Sequence, residues 1–460
     1  AIKKLFVGEK FIKQLHVTKN YLYNLILKSS ESYNSSADIK LKSNLNHIRF
    51  LFEKGLYKQC EKIIVKAKLL ADKYEAHLYI IELSRWEIEL AHAQSYKGKT
   101  EEEMDNIYEE VSRVNNKYIK ETEYEELSTR MFMRILKKGS TRSDADETLC
   151  QDIINHPLLH AENKNISYTA LHHYYRIHFA YFYMLNDFTN AYFYAQKSVQ
   201  LMEDHPHQIE ERLRNYVMAL GNLVSCQLNL KKYNEMPFVF KKLKEINTRS
   251  KWIQSQLFYI TNFPELQLYI DTGEFDRATT LIAQIQHHVK DELGKIILPK
   301  NIEMMLYYRI CYVNFGIGNY RKALNYLNIT INITAIDVRS DLHCFARIMY
   351  LIVHFELGNV DLLEYVVKST YRFLHKREQL YKFETSVLNF IRKKIPKIFT
   401  DKERIEAFQE LKNELEEITK NHFEKKVLEY FDFISWIESK IENRPFAEIV
   451  KEKAGKRLQK

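Results

Sequence analysis

Glycine and proline are scarce in this chain: 11 Gly and 7 Pro among 460 residues, well below average usage of about 7% and 5%. A β-sandwich or a multi-strand α/β enzyme draws on both residues for its many tight turns, so so few of them exclude those architectures and leave long helices with short connections. Cysteine is also sparse. The five cysteines (Cys60, Cys150, Cys226, Cys311, Cys344) are odd in number and far apart within helical patterns. That spacing excludes a paired disulfide framework or a compact zinc site and reads as reduced, buried thiols in a cytoplasm. No run of about 18 apolar residues occurs, so no transmembrane helix is expected. The stretch AIKKLFVGEKFIKQL at the N-terminus is basic but has no apolar core segment or cleavage motif, and so does not read as a signal peptide. Neither GxGxxG nor GxxxxGK[ST] is present; GIGN at 316–319 comes nearest and sits at a helix–helix turn.

What is present is a repeat. The segments GLYKQC (55–60), NDFTNA (186–191), KKYNEM (231–236), GEFDRA (273–278), GNYRKA (318–323) and GNVDLL (358–363) share one pattern. Each opens on Gly, Asn or Lys, most carry Tyr or Phe two residues later, and most close on a small or sulfur-bearing residue. Amphipathic stretches flank every copy. The opening residue supplies a left-handed helix cap, the aromatic packs into the corner, and the small residue lets two helices approach closely.

This turn resembles the middle of the tetratricopeptide repeat, with Gly273, Phe275 and Ala278, or Gly318, Tyr320 and Ala323, at the matching positions. The resemblance implies an all-α, right-handed α-solenoid of antiparallel helical hairpins. Successive turn positions Phe188, Tyr233, Phe275, Tyr320 and Val360 lie 45, 42, 45 and 40 residues apart, a period longer than the family's roughly 34. Expected helices cover about 40–54, 57–72, 74–97, 101–118, 121–138 and 145–155, followed by five hairpins over 167–376. Four regions follow: a basic N-terminal hairpin at 1–37, degenerate repeats at 38–160, clear hairpins at 161–376 and capping helices at 377–460. In tetratricopeptide-like arrays the first helix of each hairpin lines the concave groove. Aligning the turns carries that role to Arg176 and Tyr183 in one repeat and to Met305, Tyr308, Tyr312 and Phe315 in another. With 31 Tyr, 26 Phe and 3 Trp, most rings are expected in the core between hairpins.

Catalytic spacing is missing. His156 and His160 are one helical turn apart, but Pro157 and two leucines stand where a zinc hydrolase needs its glutamate. His172, His173 and His178 share one aromatic helix, and they and His287/His288 read as structural or surface histidines. The acidic run TEEEMDNIYEE (100–110) reads as a helix start, with Thr100 and Glu103 forming a capping box.

Charge is unevenly placed. Residues 1–70 hold 14 Lys and Arg against 5 Asp and Glu, a balance of +9 that equals the net charge of the whole chain. An anionic partner would be drawn to that end. Within it, FIKQLHVTKNYLYNLILKS (11–29) has the apolar spacing of a helix-turn-helix, with the turn at His16–Val17 and Thr18 capping the second helix. Lys19, Asn20, Tyr23 and Asn24 then face outward, residue types able to touch phosphates and base edges. The segment SSESYNSSAD (29–38) reads as a linker.

The expectation is a non-enzymatic, cytoplasmic scaffold that binds a protein or peptide along its groove and needs no cofactor or metal. The alternative is a transcriptional regulator with a DNA-binding N-terminal unit and a helical-repeat sensor.

Overall fold

A computed structural model describes residues 14–33, 36–138, 141, 143–160, 166–291, 298–333, 339–377 and 379–458, and no strand occurs among them. The helices are α1 (Leu15–Tyr33), α2 (Ala37–Glu53), α3 (Tyr57–Lys73), α4 (His77–Ala93), α5 (Glu101–Lys138), α6 (Asp144–Ile154), α7 (Pro157–His160), α8 (Tyr168–Met184), α9 (Phe188–Glu203), α10 (Pro206–Glu211), α11 (Leu213–Asn229) and α12 (Met236–Glu245). They continue with α13 (Lys251–Asp271), α14 (Phe275–Asp291), α15 (Lys300–Gly316), α16 (Tyr320–Asn332), α17 (Ser340–Glu356), α18 (Val360–Lys376), α19 (Lys382–Asn389), α20 (Asp401–Ile418), α21 (His422–Lys425), α22 (Phe433–Ile441) and α23 (Phe446–Leu458). Two compact units result. Unit 1 holds residues 1–123, 163–171 and 205–213; unit 2 holds 124–162, 172–204 and 214–460.

The repeated motif does what its residues dictate. Its opening residue has a positive φ in all six copies: Gly55, Asn186, Lys231, Gly273, Gly318 and Gly358. Each reverses the chain with the same pair of bonds. At Gly318, for example, its own N–H donates to the Phe315 carbonyl at 2.9 Å, and the Asn319 N–H donates to the Asn314 carbonyl at 2.8 Å. These are the two bonds of a Schellman cap, which satisfy the carbonyls a helix end leaves open. The small residue that closes the motif is fully buried at Cys60, Ala191, Ala278 and Ala323. The hairpins are therefore tetratricopeptide-like.

Two further turns use this geometry without its sequence signal. Glu75 and Ser95 take positive φ, and Ala76 and Tyr96 donate to the Ala71 and Ala91 carbonyls at 2.8 Å. Three expectations need correction. Helices 101–118 and 121–138 are one helix, α5, because nothing at 119–120 supplies a cap or a left-handed residue. Thr100 and Glu103 do form the reciprocal capping box at its start, at 3.0 and 3.1 Å. The stretch read as a linker is largely helical: α1 runs to Tyr33, and Ser36 caps α2 by accepting from the Ile39 N–H. The expected turn at His16–Val17 is the first turn of α1, and the Thr18 hydroxyl donates back to the Gln14 carbonyl instead of capping. Residues 11–13 of the stretch with helix-turn-helix spacing lie outside the described residues.

In unit 1, α2, α3 and α4 enclose Leu41, Ile48, Cys60, Ile64, Ile80 and Leu83. In unit 2, one core runs through α13 to α18 and takes in the C-terminal helices, with Phe408, Phe431, Phe433 and Trp436 nearly inaccessible. All five cysteines are free and buried. No helix of the described residues is long and apolar enough to cross a membrane.

Candidate peptide-binding face

Within unit 2 the first helices of successive hairpins are tied by polar pairs on a 42-residue register. The Tyr183 and Ser225 hydroxyls are 2.8 Å apart, joining α8 to α11. The Arg309 Nε donates to Gln267 Oε1 at 3.1 Å, joining α15 to α13. Gln267 Nε2 in turn donates to Asp271 at 2.8 Å. Burial raises the Tyr183 pKa, so its hydroxyl stays protonated and serves as donor or acceptor. Burial, then the neighbouring Arg339, holds the Arg309 guanidinium down to about 10. The ring of Phe263 lies 5.5 Å from that guanidinium. Arg176 on α8 is half-buried, its guanidinium 4.5 Å above the Phe132 ring. Burial first, and Arg214 second, lowers its pKa.

Arg339 has left-handed backbone, φ 54°, immediately before α17. Its guanidinium grips Asp341 at 2.7 and 3.0 Å and donates to the Met305 sulfur at 3.4 Å. Asp341 also accepts from the Tyr430 hydroxyl at 2.6 Å.

Tyr308, Tyr312 and Phe315 on α15 are covered. The Tyr308 hydroxyl donates to the Tyr430 carbonyl at 3.2 Å, and the Asp432 N–H donates to the Tyr312 hydroxyl at 3.1 Å. Phe431 packs at 5.2 Å from both Tyr312 and Phe315, and Phe446 at 5.4 Å from Phe315. The non-helical residues Tyr430, Phe431 and Asp432 thus lie against α15. Lys426, only 3% exposed, anchors the segment by donating to the Thr141 carbonyl and hydroxyl at 2.5 and 2.7 Å. Glu429 accepts from Asn186. Met305 is half-buried at the edge of this contact.

Lys19, Asn20, Tyr23 and Asn24 are all exposed on α1. His172 and His178 are buried; the His178 ring sits 4.1 Å from Tyr174 and 4.7 Å from Tyr194, with Nδ1 3.0 Å from the Tyr174 carbonyl. One donor cluster escaped the sequence reading: Glu75, His77 and Glu121 in unit 1, with donor atoms within 4.8 Å of one another. Its carboxylates are engaged structurally. Glu121 accepts from Ser167 at 2.5 Å and meets His77 Nδ1 at 3.1 Å, while Glu75 accepts from the Tyr168 N–H at 2.7 Å. Nothing marked the cluster in advance, because its members meet only through the left-handed turn at Glu75.

No protein-family model matches the chain, and no curated protein matches it. Among solved structures, a similar one is the crystal structure of a Rap protein complexed with competence and sporulation factor. It is 14% identical, the match covers 74% of this chain and 99% of that one, and the TM-score is 0.38.

Proposed function

We propose that this protein is a non-enzymatic helical-repeat scaffold that binds a peptide or an extended protein segment along the first helices of unit 2. One observation carries the reading: the 42-residue register that sets Tyr183, Ser225, Gln267 and Arg309 on successive helices. A repeated face with half-buried hydrogen-bonding side chains suits an extended chain, whose own backbone presents donors and acceptors at regular intervals. The face centres on α8, α11 and α13, together with the Arg309 edge of α15, because the Tyr308–Phe315 stripe is already covered by residues 430–446. Arg176 and Tyr183 belong to it. The free, buried cysteines are in keeping with a reducing cytoplasm. The test is hydrogen exchange on the purified chain with and without a captured partner. Slowed exchange over 172–184, 213–229 and 251–271 is expected; protection confined to other helices, or turnover of a small substrate by the purified chain, overturns the reading.

The exposure of Lys19, Asn20, Tyr23 and Asn24 on α1, at the end that carries the whole charge excess, favours a second reading, nucleic-acid binding by a transcriptional regulator. It requires a duplex-DNA mobility shift that weakens steeply with salt and diminishes when Lys19 and Asn20 are replaced by Ala. No shift at low salt ends it.

A further inference from the structure

Among the described residues one group of ligand-type side chains converges: Glu75, His77 and Glu121, with donor atoms within 4.8 Å of one another. Glu75 stands in the turn between α3 and α4, His77 opens α4, and Glu121 lies midway along α5. Two of the three are deeply buried, His77 at 5% and Glu121 at 8% exposure. Among the described residues no Lys or Arg forms an ion pair with either carboxylate. Arg212 reaches the Thr169 hydroxyl at 2.7 Å and the Tyr168 ring at 5.6 Å instead. Buried carboxylates with no cationic partner are costly.

The histidine points to what offsets that cost. Its Nδ1 is buried and makes no hydrogen bond, although Glu121 Oε1 is only 3.1 Å away. A ring nitrogen and a carboxylate oxygen that approach without sharing a proton stand as two ligands of one ion do; tetrahedral zinc ligands are about 3.4 Å apart. Both carboxylates are also held from behind. The Ser167 hydroxyl donates to Glu121 Oε1 at 2.5 Å, and the Tyr168 N–H donates to Glu75 Oε2 at 2.7 Å. Each bond takes one oxygen and leaves the second, as outer-shell partners of metal ligands do.

We propose that Glu75, His77 and Glu121 bind one divalent transition-metal ion of the zinc type, which clamps the α3–α4 turn to α5. The donor set selects the metal. Two carboxylates balance a divalent charge, and an imidazole nitrogen favours zinc over magnesium or calcium, which take oxygen ligands. The half-buried Glu75 is the arm that closes on the ion, beside the preset pair His77 and Glu121. The proposal lies in unit 1 and does not depend on the peptide-binding reading.

The experiment uses the full chain without a histidine tag, stripped with a chelator and dialysed. Zinc chloride is titrated by calorimetry, and bound metal is counted by mass spectrometry after gel filtration. Wild type is expected to take up one zinc per chain and to melt at a higher temperature when loaded. Glu75→Gln, His77→Gln and Glu121→Gln each remove a ligand while keeping a polar side chain of similar reach, and the two Glu variants retain an oxygen for Tyr168 or Ser167. Each should lose more than about a hundredfold in zinc affinity, and Ser167→Ala, which touches only the outer shell, about ten- to hundredfold. The melting shift should vanish with the affinity. Should a buried-site variant fail to fold, Glu75→Gln on its half-buried side chain carries the test. No zinc retained by wild type overturns the proposal and leaves His77 and Glu121 as an ion pair. Zinc held as tightly by Glu75→Gln and His77→Gln as by wild type overturns it as well, since the ion then sits elsewhere. Displacement of zinc by an equal concentration of magnesium or calcium overturns the choice of metal.

Discussion

Helices α8 and α15 hold the same place in their hairpins, each ending in a left-handed residue at the turn, Asn186 and Gly318. Their inner faces have opposite fates. On α8, Arg176 and Tyr183 stay half-buried, whereas on α15, Tyr308, Tyr312 and Phe315 are 5%, 8% and 1% exposed. Repeat position does not explain the difference, since the hairpin geometry is shared. The explanation is an occupant: Tyr430, Phe431 and Phe446 lie on α15 and close its face. A repeat sets where a binding surface can be, and the remainder of the chain decides whether it is still free.

The strongest way to break that contrast is to remove the occupant's central ring. Phe431→Ala should cost about 3–5 kcal/mol, the range for truncating a buried aromatic, measured by urea unfolding. A loss below about 1 kcal/mol would mean that the segment is a loose cover rather than core. Next comes the glycine pair. Both Gly273 and Gly318 have positive φ, so alanine costs about 1–2 kcal/mol at either. At Gly273 a Cβ would also stand 2.8 Å from the Lys451 backbone nitrogen, whereas at Gly318 it meets nothing within 4 Å. Gly273→Ala should therefore lose clearly more stability, and equal losses would deny the close approach of α23. Hydroxyl deletion is a finer probe. Tyr308→Phe and Tyr183→Phe should each cost about 1 kcal/mol, yet only Tyr183→Phe should alter peptide retention.

The smallest effect is on pH dependence. Burial lowers the pKa of His178 and of His354, so the folded state binds fewer protons than the unfolded chain. Stability is then complete above the ordinary histidine value of about 6.5 and declines as pH falls below it. Thermal melts from pH 7.5 to 5.5 should show that decline, and His178→Phe should flatten it. An unchanged slope would place the acid sensitivity elsewhere.

The turns were legible in the sequence because three physical demands coincide in six residues: a left-handed cap, a corner ring and a close helix approach. Where only the backbone demand survives, at Glu75 and Ser95, no residue type marked it. The α15 stripe was legible as a helical face, but an apolar stripe is the same whether its cover is a foreign peptide or residues 430–446 of its own chain. The polar register was hidden for another reason. Tyr183, Ser225, Gln267 and Arg309 are four different side chains lying 5, 8, 8 and 11 residues before their turns, so aligning the turns passes over them. Arg176 and Tyr183 were reached through the turn alignment, Arg309 only through the geometry.

The C-terminal cover also sets an order of events in the cell. Helix α15 ends at Gly316, while Phe446, which completes its packing, is made 130 residues later. At a synthesis rate of about 5–20 residues per second, that leaves the α15 aromatics without their partners for on the order of ten seconds. Hairpin by hairpin, the nascent chain can form its helices as they emerge, but α15 cannot bury its rings until the last helix arrives. A ribosome that stalls after residue 423 would release a sticky intermediate, with Tyr308, Tyr312 and Phe315 open to whatever chaperone or neighbouring chain is at hand.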